Sequence, residues 1–333
     1  MPRKISDAVI IHGTSHPELA RKLSEFSGIP LAEAQVEKFA NGEIELKGIK
    51  ENVRRKHVFL LQSPRGKEGV NDHLMEAFVI ASALKRHGAR EITLVIPQFA
   101  YARQERITAE RGPVTAKLVV DLFHAAGVHN FIAVDLHAKA IQGFTPESFE
   151  NISTLRLVKQ DIEKKFKKLN DVVFVATDKG SSERNEKLAK IFGTAWGMFE
   201  KHRPEPNVSE VRGYLGPDLK GKHVIICEDM IDTGGTLLNT AAEAKKMGAK
   251  SVTVYATHGV FSPDKKTGQR AQDKINNSAA VDRVVVTDTI DVKPEGKIEV
   301  LKISPFLAKV LIAHHKGESI SKLMKIELKK ERG

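Results

Sequence analysis

The chain has 333 residues, of which 41% are apolar and 29% charged, enough for two domains with ordinary cores and too apolar for a disordered chain. No apolar run approaches the roughly 20 residues a membrane helix requires, and Met1–Gly13 is too weakly apolar for a secretory signal, so a cytoplasmic protein with no membrane partner is expected. The formal net charge of +11 points to an anionic partner, but the lysines are scattered and Trp196 is the only tryptophan; with no base-stacking platform in view, a nucleic-acid partner is not expected.

Short β-branched runs alternate with helical periodicity along the whole chain. Strands are predicted at Ala8–Ile11, Val58–Gln62, Ile92–Ile96, Phe131–Val134, Val172–Ala176, Val224–Cys227, Ser251–Ala256 and Arg283–Thr287. Helical spacing predicts helices over Pro17–Ser27, Asn71–His87, Thr115–Ala126, Ile152–Lys168, Glu183–Phe192, Leu237–Met247 and Pro305–His315. Apolar strands separated by helices imply parallel sheets covered on both faces. Right-handed crossovers then gather the loops that follow the strands on one edge, where ligands bind. The alternation runs through twice. It predicts an α/β fold of two similar domains, residues 1–152 and 153–333, each a mainly parallel sheet flanked by helices. Segment Lys201–Gly221, with Pro204, Pro206 and Pro217, predicts a hairpin or flap instead of a helix.

The strongest local signal begins at the apolar run Val224–Cys227. Cys227, the only cysteine, reads there as a buried small hydrophobe and not a nucleophile. Glu228 and Asp229 follow, then Asp232-Thr233-Gly234-Gly235-Thr236, then the helix from Leu237. Two glycines let the backbone turn tightly and present N–H groups, the threonines add hydroxyls, and a helix N-terminus favours an anion. The Walker spacing and its lysine are missing. A carboxylate such as Glu228 or Asp229 can accept from both hydroxyls of a cis diol. Together these features fit a ribose 5-phosphate better than a mere capped surface turn.

Glu228-Asp-Met-Ile-Asp-Thr-Gly-Gly-Thr236 resembles the ribose-phosphate loop of type I phosphoribosyltransferase folds. Five further segments narrow the resemblance: Phe39-Ala-Asn-Gly-Glu43, Pro97–Arg106, Asp135-Leu-His-Ala138 continued by Ile141–Phe144, Thr177-Asp-Lys-Gly180 and Lys201-His-Arg-Pro204. In this order, from about Ile10 to Met324, they resemble the ribose-phosphate diphosphokinase family (phosphoribosyl pyrophosphate synthetases).

The resemblance implies transfer of the diphosphoryl group of Mg-ATP to the C1 hydroxyl of ribose 5-phosphate. It assigns Phe39, Asn41, Glu43, Arg103, Gln104 and His137 to ATP, and His137 and Asp178 to Mg2+. Glu228, Asp229, Asp232, Thr233, Gly234, Gly235 and Thr236 are assigned to ribose 5-phosphate, and Lys201 and Arg203 to transition-state stabilisation. Arg54, Ser319 and Ser321 match a regulatory phosphate site, and self-association to dimers and hexamers is implied. Several positions depart from the commonest pattern. Glu228 stands for aspartate, Thr177 for proline, Gln98 and Ala100 for tyrosine and glycine, Glu105 for aspartate, and His202 for arginine, while Lys179, Ser181 and Ser182 replace smaller residues. A phosphoribosyltransferase that consumes the diphosphate would share the Asp232–Thr236 loop without the ATP segments. A catalytically silent regulatory subunit would have lost His137, Asp178, Lys201 or Arg203, all of which are present.

Overall fold

The computed structural model describes residues 5–166, 168–205 and 208–326, without the side chains of 66–68, 201–205 and 208–212. The chain divides into two compact units. The first comprises Met1–Ser153, Asp288–Asp291 and Lys302–Met324, and the second Thr154–Thr287, Val292–Leu301 and Lys325–Gly333.

The first unit is built on a seven-stranded sheet in the order β3-β2-β1-β4-β5-β6-β7. Its strands are β1 (Ala8–His12), β2 (Leu31–Lys38), β3 (Ile44–Ile49), β4 (His57–Leu61), β5 (Glu91–Val95), β6 (Asn130–Val134) and β7 (Phe149–Ile152). All neighbours are parallel except the edge hairpin β2–β3. Helices α1 (Pro17–Ser27), α2 (Gly66–Arg86) and α3 (Thr115–Ala126) make the crossovers. Strand β4 reads His-Val-Phe-Leu-Leu and is buried throughout, as a parallel strand covered on both faces must be.

The second unit repeats the plan with the order β10-β9-β8-β11-β12-β13-β14. These strands are β8 (Val172–Ala176), β9 (Ala195–Glu205), β10 (Val208–Leu215), β11 (His223–Ile231), β12 (Ser251–Gly259), β13 (Arg283–Thr287) and β14 (Ile298–Leu301). Helices α4 (Leu155–Lys165), α5 (Ser182–Phe192), α6 (Gly235–Lys246) and α7 (Ala271–Asn277) flank them. The two α/β units expected from the alternation are therefore present, and the segment expected as a hairpin forms β9–β10, which is antiparallel. Among the described residues no helix is long and apolar enough to cross a membrane.

Two boundaries differ from expectation. The predicted helix over Ile152–Lys168 begins at Leu155, because Ile152 closes β7 against Val134. Residues 302–324, expected within a second domain of residues 153–333, belong to the first unit. The cause is α8 (Ser304–Lys316), which buries Phe306, Leu307, Val310 and Leu311 and packs on α1. Asp288 assists: its carboxylate accepts from Ile303 N at 2.6 Å, and its carbonyl lies 2.9 Å from His16 Nε2 at the start of α1. The short helix α9 (Ile320–Met324) follows α8 in the same unit.

Candidate functional site

In the second sheet β8 lies between β9 on one side and β11 on the other. Where connections leave a central strand in opposite directions, a crevice opens at the C-terminal strand ends, and ligands of such sheets bind there. Pairing of β8 with β11 stops at Phe174↔Ile225, although both strands continue. Asn185 of α5 fills the split. Its Nδ2 donates to Cys227 O at 2.9 Å and its Oδ1 accepts from Cys227 N at 3.0 Å. A fully buried side-chain amide thus takes the part of the missing strand. Nothing in the sequence marked this asparagine, because the need for it arises only where two strands part. Cys227 is buried, and burial pushes its thiol up, out of nucleophilic reach of neutral pH.

Past the split the half-buried Glu228 accepts from Thr177 Oγ1 at 2.6 Å through Oε1. The loop after β8 is held by Gly180 N donating to Asp178 Oδ1 at 2.9 Å and by Thr177 N donating to Ser181 Oγ at 3.1 Å. Burial pushes the Glu228 carboxyl up to about 7; the Thr177 bond opposes this, and the charges of Asp229 and Asp178 add to it. Successive strand residues face opposite sides of a sheet, so Glu228 and Asp229 are not side by side. Asp229 Oδ1 accepts from Met230 N at 2.8 Å.

The loop then turns through Gly234, the N-cap of α6, at φ 76°. This left-handed backbone strains any residue with a Cβ. The first N–H groups of α6 have no acceptor within the helix, and half-buried Asp232, Thr233 and Thr236 surround them. The structure thus brings Asp178, Glu228 and the Asp232–Thr236 loop to the ends of two adjacent strands.

Strand β9 pairs with β8 only to Met198, then runs on paired with β10 alone, and β10 also contacts α6. Residue 201 stands three positions beyond the last pair, roughly 10 Å past the sheet edge on the side of the crevice. Tyr214 anchors the root of this flap: its ring lies 4.9 Å from that of Phe199, and a Cβ on Gly197 would stand 2.4 Å from its hydroxyl. The side chains of Lys201 and Arg203 lie outside the described residues.

The corresponding crevice of the first sheet, between β1 and β4, is filled by the protein itself. Thr14 donates to the Glu76 carboxylate from N at 2.5 Å and from Oγ1 at 2.8 Å, and Ser15 Oγ donates to Gln62 Oε1 at 2.6 Å. Glu76 is 2% exposed. Glu76 thus takes up the Thr14 donors that a ligand would otherwise meet there.

The residues matched to ATP stand along the same C-terminal edge of the first sheet. Phe39, 49% exposed, sits on the β2–β3 turn, where Gly42 N donates to Phe39 O at 2.8 Å and Glu43 N to Asn41 Oδ1 at 3.2 Å. Arg103 and Gln104 follow β5; Arg103 is exposed, and Gln104 Oε1 accepts from Thr115 Oγ1 at 2.6 Å at the start of α3. His137 is exposed after β6, behind the buried Asp135, whose φ is 41°. Strand order separates β2 from β5 by three spacings, about 14 Å. Phe39 and Arg103 are therefore not brought together within the sheet.

Ser319 lies in the α8–α9 turn and Ser321 in α9, with hydroxyls 2.9 Å apart. They line a cavity of about 370 Å³ with Glu150, His314 and Ile320. Arg54 is exposed in the connection before β4, where its N–H donates to Asn52 Oδ1 at 3.0 Å. Both segments stand at the N-terminal edge of the first sheet, opposite the loops matched to substrate.

Residues 8–127 match the family profile described as the N-terminal domain of ribose phosphate pyrophosphokinase, and residues 148–288 match the phosphoribosyl transferase domain. A ribose-phosphate pyrophosphokinase of Maricaulis maris is 38% identical over 318 residues, covering 94% of this chain and 99% of its own. That of Haemophilus influenzae is 41% identical over 321 residues, covering 95% and 98%. The crystal structure of phosphoribosylpyrophosphate synthetase from Mycobacterium smegmatis superposes with a TM-score of 0.82 at 32% identity, covering 93% of this chain and 99% of that one. With a glycine-turned helix N-terminus at the crevice of one unit, a self-filled crevice in the other and similarity along nearly the whole length, the chain belongs to the ribose-phosphate pyrophosphokinase family.

Proposed function

We propose that the protein transfers the β,γ-diphosphoryl group of Mg-ATP to the C1 hydroxyl of ribose 5-phosphate, giving 5-phosphoribosyl 1-diphosphate and AMP. The observation that carries this reading is the crevice between β8 and β11. A carboxylate for the diol (Glu228) and the turned N-terminus of α6 for the phosphate stand there at adjacent strand ends. The 5-phosphate occupies the loop Asp232–Thr236. Glu228 and Asp229, reaching past the strand end from its two sides, orient the ribose hydroxyls, and Phe39, Asn41, Glu43, Arg103, Gln104 and His137 engage ATP. The displacement at the β-phosphorus demands mainly positioning and charge neutralisation, a role that falls to Lys201 and Arg203 on the flap.

Mg2+, when bound, screens the polyphosphate charge. Asp178 suits a hard cation by its carboxylate oxygens, one of which already accepts from Gly180 N. His137 offers an imidazole, a less usual partner, and contributes through phosphate or water. The same reading places the enzyme in the cytoplasm as dimers within hexamers, with Arg54, Ser319 and Ser321 as a regulatory phosphate site; sedimentation with and without phosphate tests both.

The decisive assay mixes purified protein, Mg2+, ATP and ribose 5-phosphate and separates the nucleotides. AMP formed only with the sugar is the expected result; ADP as the sole nucleotide product would overturn the reading.

Glu228 supplies a second check. Its pKa is raised from 4.5 to about 7, so the folded state holds the proton more tightly than the unfolded chain. The stability this contributes is complete below pH 4.5 and lost as pH rises through 7. Glu228→Gln is therefore expected to leave stability unchanged near pH 4.5 and to raise it by on the order of 1–2 kcal/mol at pH 8.5 without sugar. The wild-type KM for ribose 5-phosphate should fall as the carboxylate ionises between pH 6 and 8. In the variant only the smaller change from the sugar phosphate's own ionisation should remain. Parallel KM profiles for the two proteins would remove Glu228 from the diol site.

A further inference from the structure

A second cluster of ligating side chains lies at the opposite edge of the first sheet from the loops described above. His57, the first residue of β4, is paired in register with Glu91, the first residue of β5. His314 reaches them from the last turn of α8. One nitrogen of each histidine and one Glu91 oxygen all lie within 4.8 Å of one another. We propose that His57, Glu91 and His314 form a binding site for a zinc-class transition metal ion, distinct from the magnesium chemistry of the substrates.

The donor set decides the class of ion. Two imidazoles and one carboxylate match Zn2+, Co2+ or Ni2+ and are a poor match for Mg2+, which takes oxygen ligands. Three protein ligands leave a coordination position for water. The second layer is also in place. His57 Nδ1 lies 3.0 Å from His315 Nδ1. If Nδ1 of His57 carries the proton, its Nε2 presents a lone pair. Glu91 Oε1 accepts from Asn130 Nδ2 at 2.9 Å, a bond that orients the carboxylate. Thr93 Oγ1 stands 2.8 Å from His57 Nε2 and 3.2 Å from His314 Nε2, so both nitrogens turn toward one point that its hydroxyl now holds, and an ion entering there must displace that hydroxyl or take it as a further ligand. All three ligands sit on regular elements, and His57 is fully buried. His314 also lines the cavity that holds Glu150, so one of the three ligands borders open space. Metal ligands of this type stand about 2.0–2.2 Å from the ion, so a closure of roughly an ångström completes the site. A bound ion would tie α8 to β4 and β5 across more than half the sequence.

Cobalt reports the site directly, because Co2+ in a low-coordinate nitrogen and oxygen environment absorbs in the visible. The tag-free enzyme is titrated with Co2+, and separately its Tm is followed with Zn2+, without nucleotide. One equivalent with visible absorption and a Tm rise of several degrees at saturating Zn2+ are expected. His314→Gln and Glu91→Gln should each weaken Co2+ binding by at least about tenfold and abolish the Tm rise. The metal-free Tm of each variant establishes that it folds. Asp178→Asn should keep both signals, which separates this site from any cation bound with substrate. No absorption in the wild type, or absorption unchanged in both His314→Gln and Glu91→Gln, overturns the proposal.

Discussion

Alanine at Lys201 is expected to lower turnover about 10²–10³-fold, a barrier increase of about 2.7–4 kcal/mol, with a much smaller change in ATP affinity. The reason lies in the path of β9. It leaves its pairing with β8 at Met198 and carries residues 199–205 beyond the sheet edge as a hairpin with β10. On the proposed reading, a cation on such an arm would meet the polyphosphate of ATP held by other loops. It therefore acts mainly on the charge that develops in the transition state. The resemblance assigns transition-state stabilisation to Lys201 and Arg203 and gives no role to His202. Arg203→Ala should therefore resemble Lys201→Ala, and His202→Ala should stay within a few-fold of wild type. Steady-state kcat and KM for ATP distinguish these outcomes. Near-normal turnover of Lys201→Ala would remove the flap from the chemistry.

Removing Arg283 is expected to destabilise the second unit by about 1.5–3 kcal/mol, since its charge-assisted hydrogen bonds are lost while the exposed Glu299 and half-buried Asp161 can turn to water. Arg283, 8% exposed, opens β13. Its Nη1 donates to Asp161 Oδ2 at 2.8 Å and to Tyr255 Oη at 2.9 Å, while Nε and Nη2 form a fork to Glu299 at 2.8 and 2.6 Å. Burial alone would lower the guanidinium pKa, but the bonds to Glu299 and Asp161 more than offset it and hold the group charged. In return Arg283 holds the Glu299 carboxyl below its usual value. A depressed carboxyl contributes stability that is present above about pH 4.5 and lost as pH falls through its folded value. The deficit of Arg283→Ala should therefore be largest near neutral pH and shrink in acid. Urea unfolding followed through Trp196, which adjoins the buried cluster of the second unit, measures it at each pH. A deficit independent of pH would mean that lost packing, not lost charge pairing, sets the cost.

Periodicity located the central strands because each is a run of apolar residues buried on both faces; β4, β8 and β13 have no exposed position. Strands β2 and β3 of the edge hairpin, of which β3 is outermost, were not legible in the same way. Strand β2 reads Leu-Ala-Glu-Ala-Gln-Val-Glu-Lys and β3 Ile-Glu-Leu-Lys-Gly-Ile, both largely exposed or half-buried. An edge strand needs charge to discourage further pairing, and that charge hides it from a search for apolar runs. The short strands β7 and β14 were missed for the same reason, with polar residues interrupting four-residue segments.

The sequence by itself determined the α/β class, the central strands, the flap as a hairpin and the order of the motifs, because burial on two faces and tight turns leave local signatures. It also carried the phosphate loop, since Asp232-Thr-Gly-Gly-Thr236 is contiguous and its chemistry is that of one turn. Only the tertiary structure decided how each crevice is lined. Glu76 fills one from 62 residues away from Thr14, and Asn185 and Thr177 shape the other by bonds to Cys227 and Glu228 over separations of 42 and 51 residues. It likewise decided that α8 belongs with the first unit, bringing His314 and His315 to His57. Such pairings obey no local period; they follow from where strand order places the ends of distant segments.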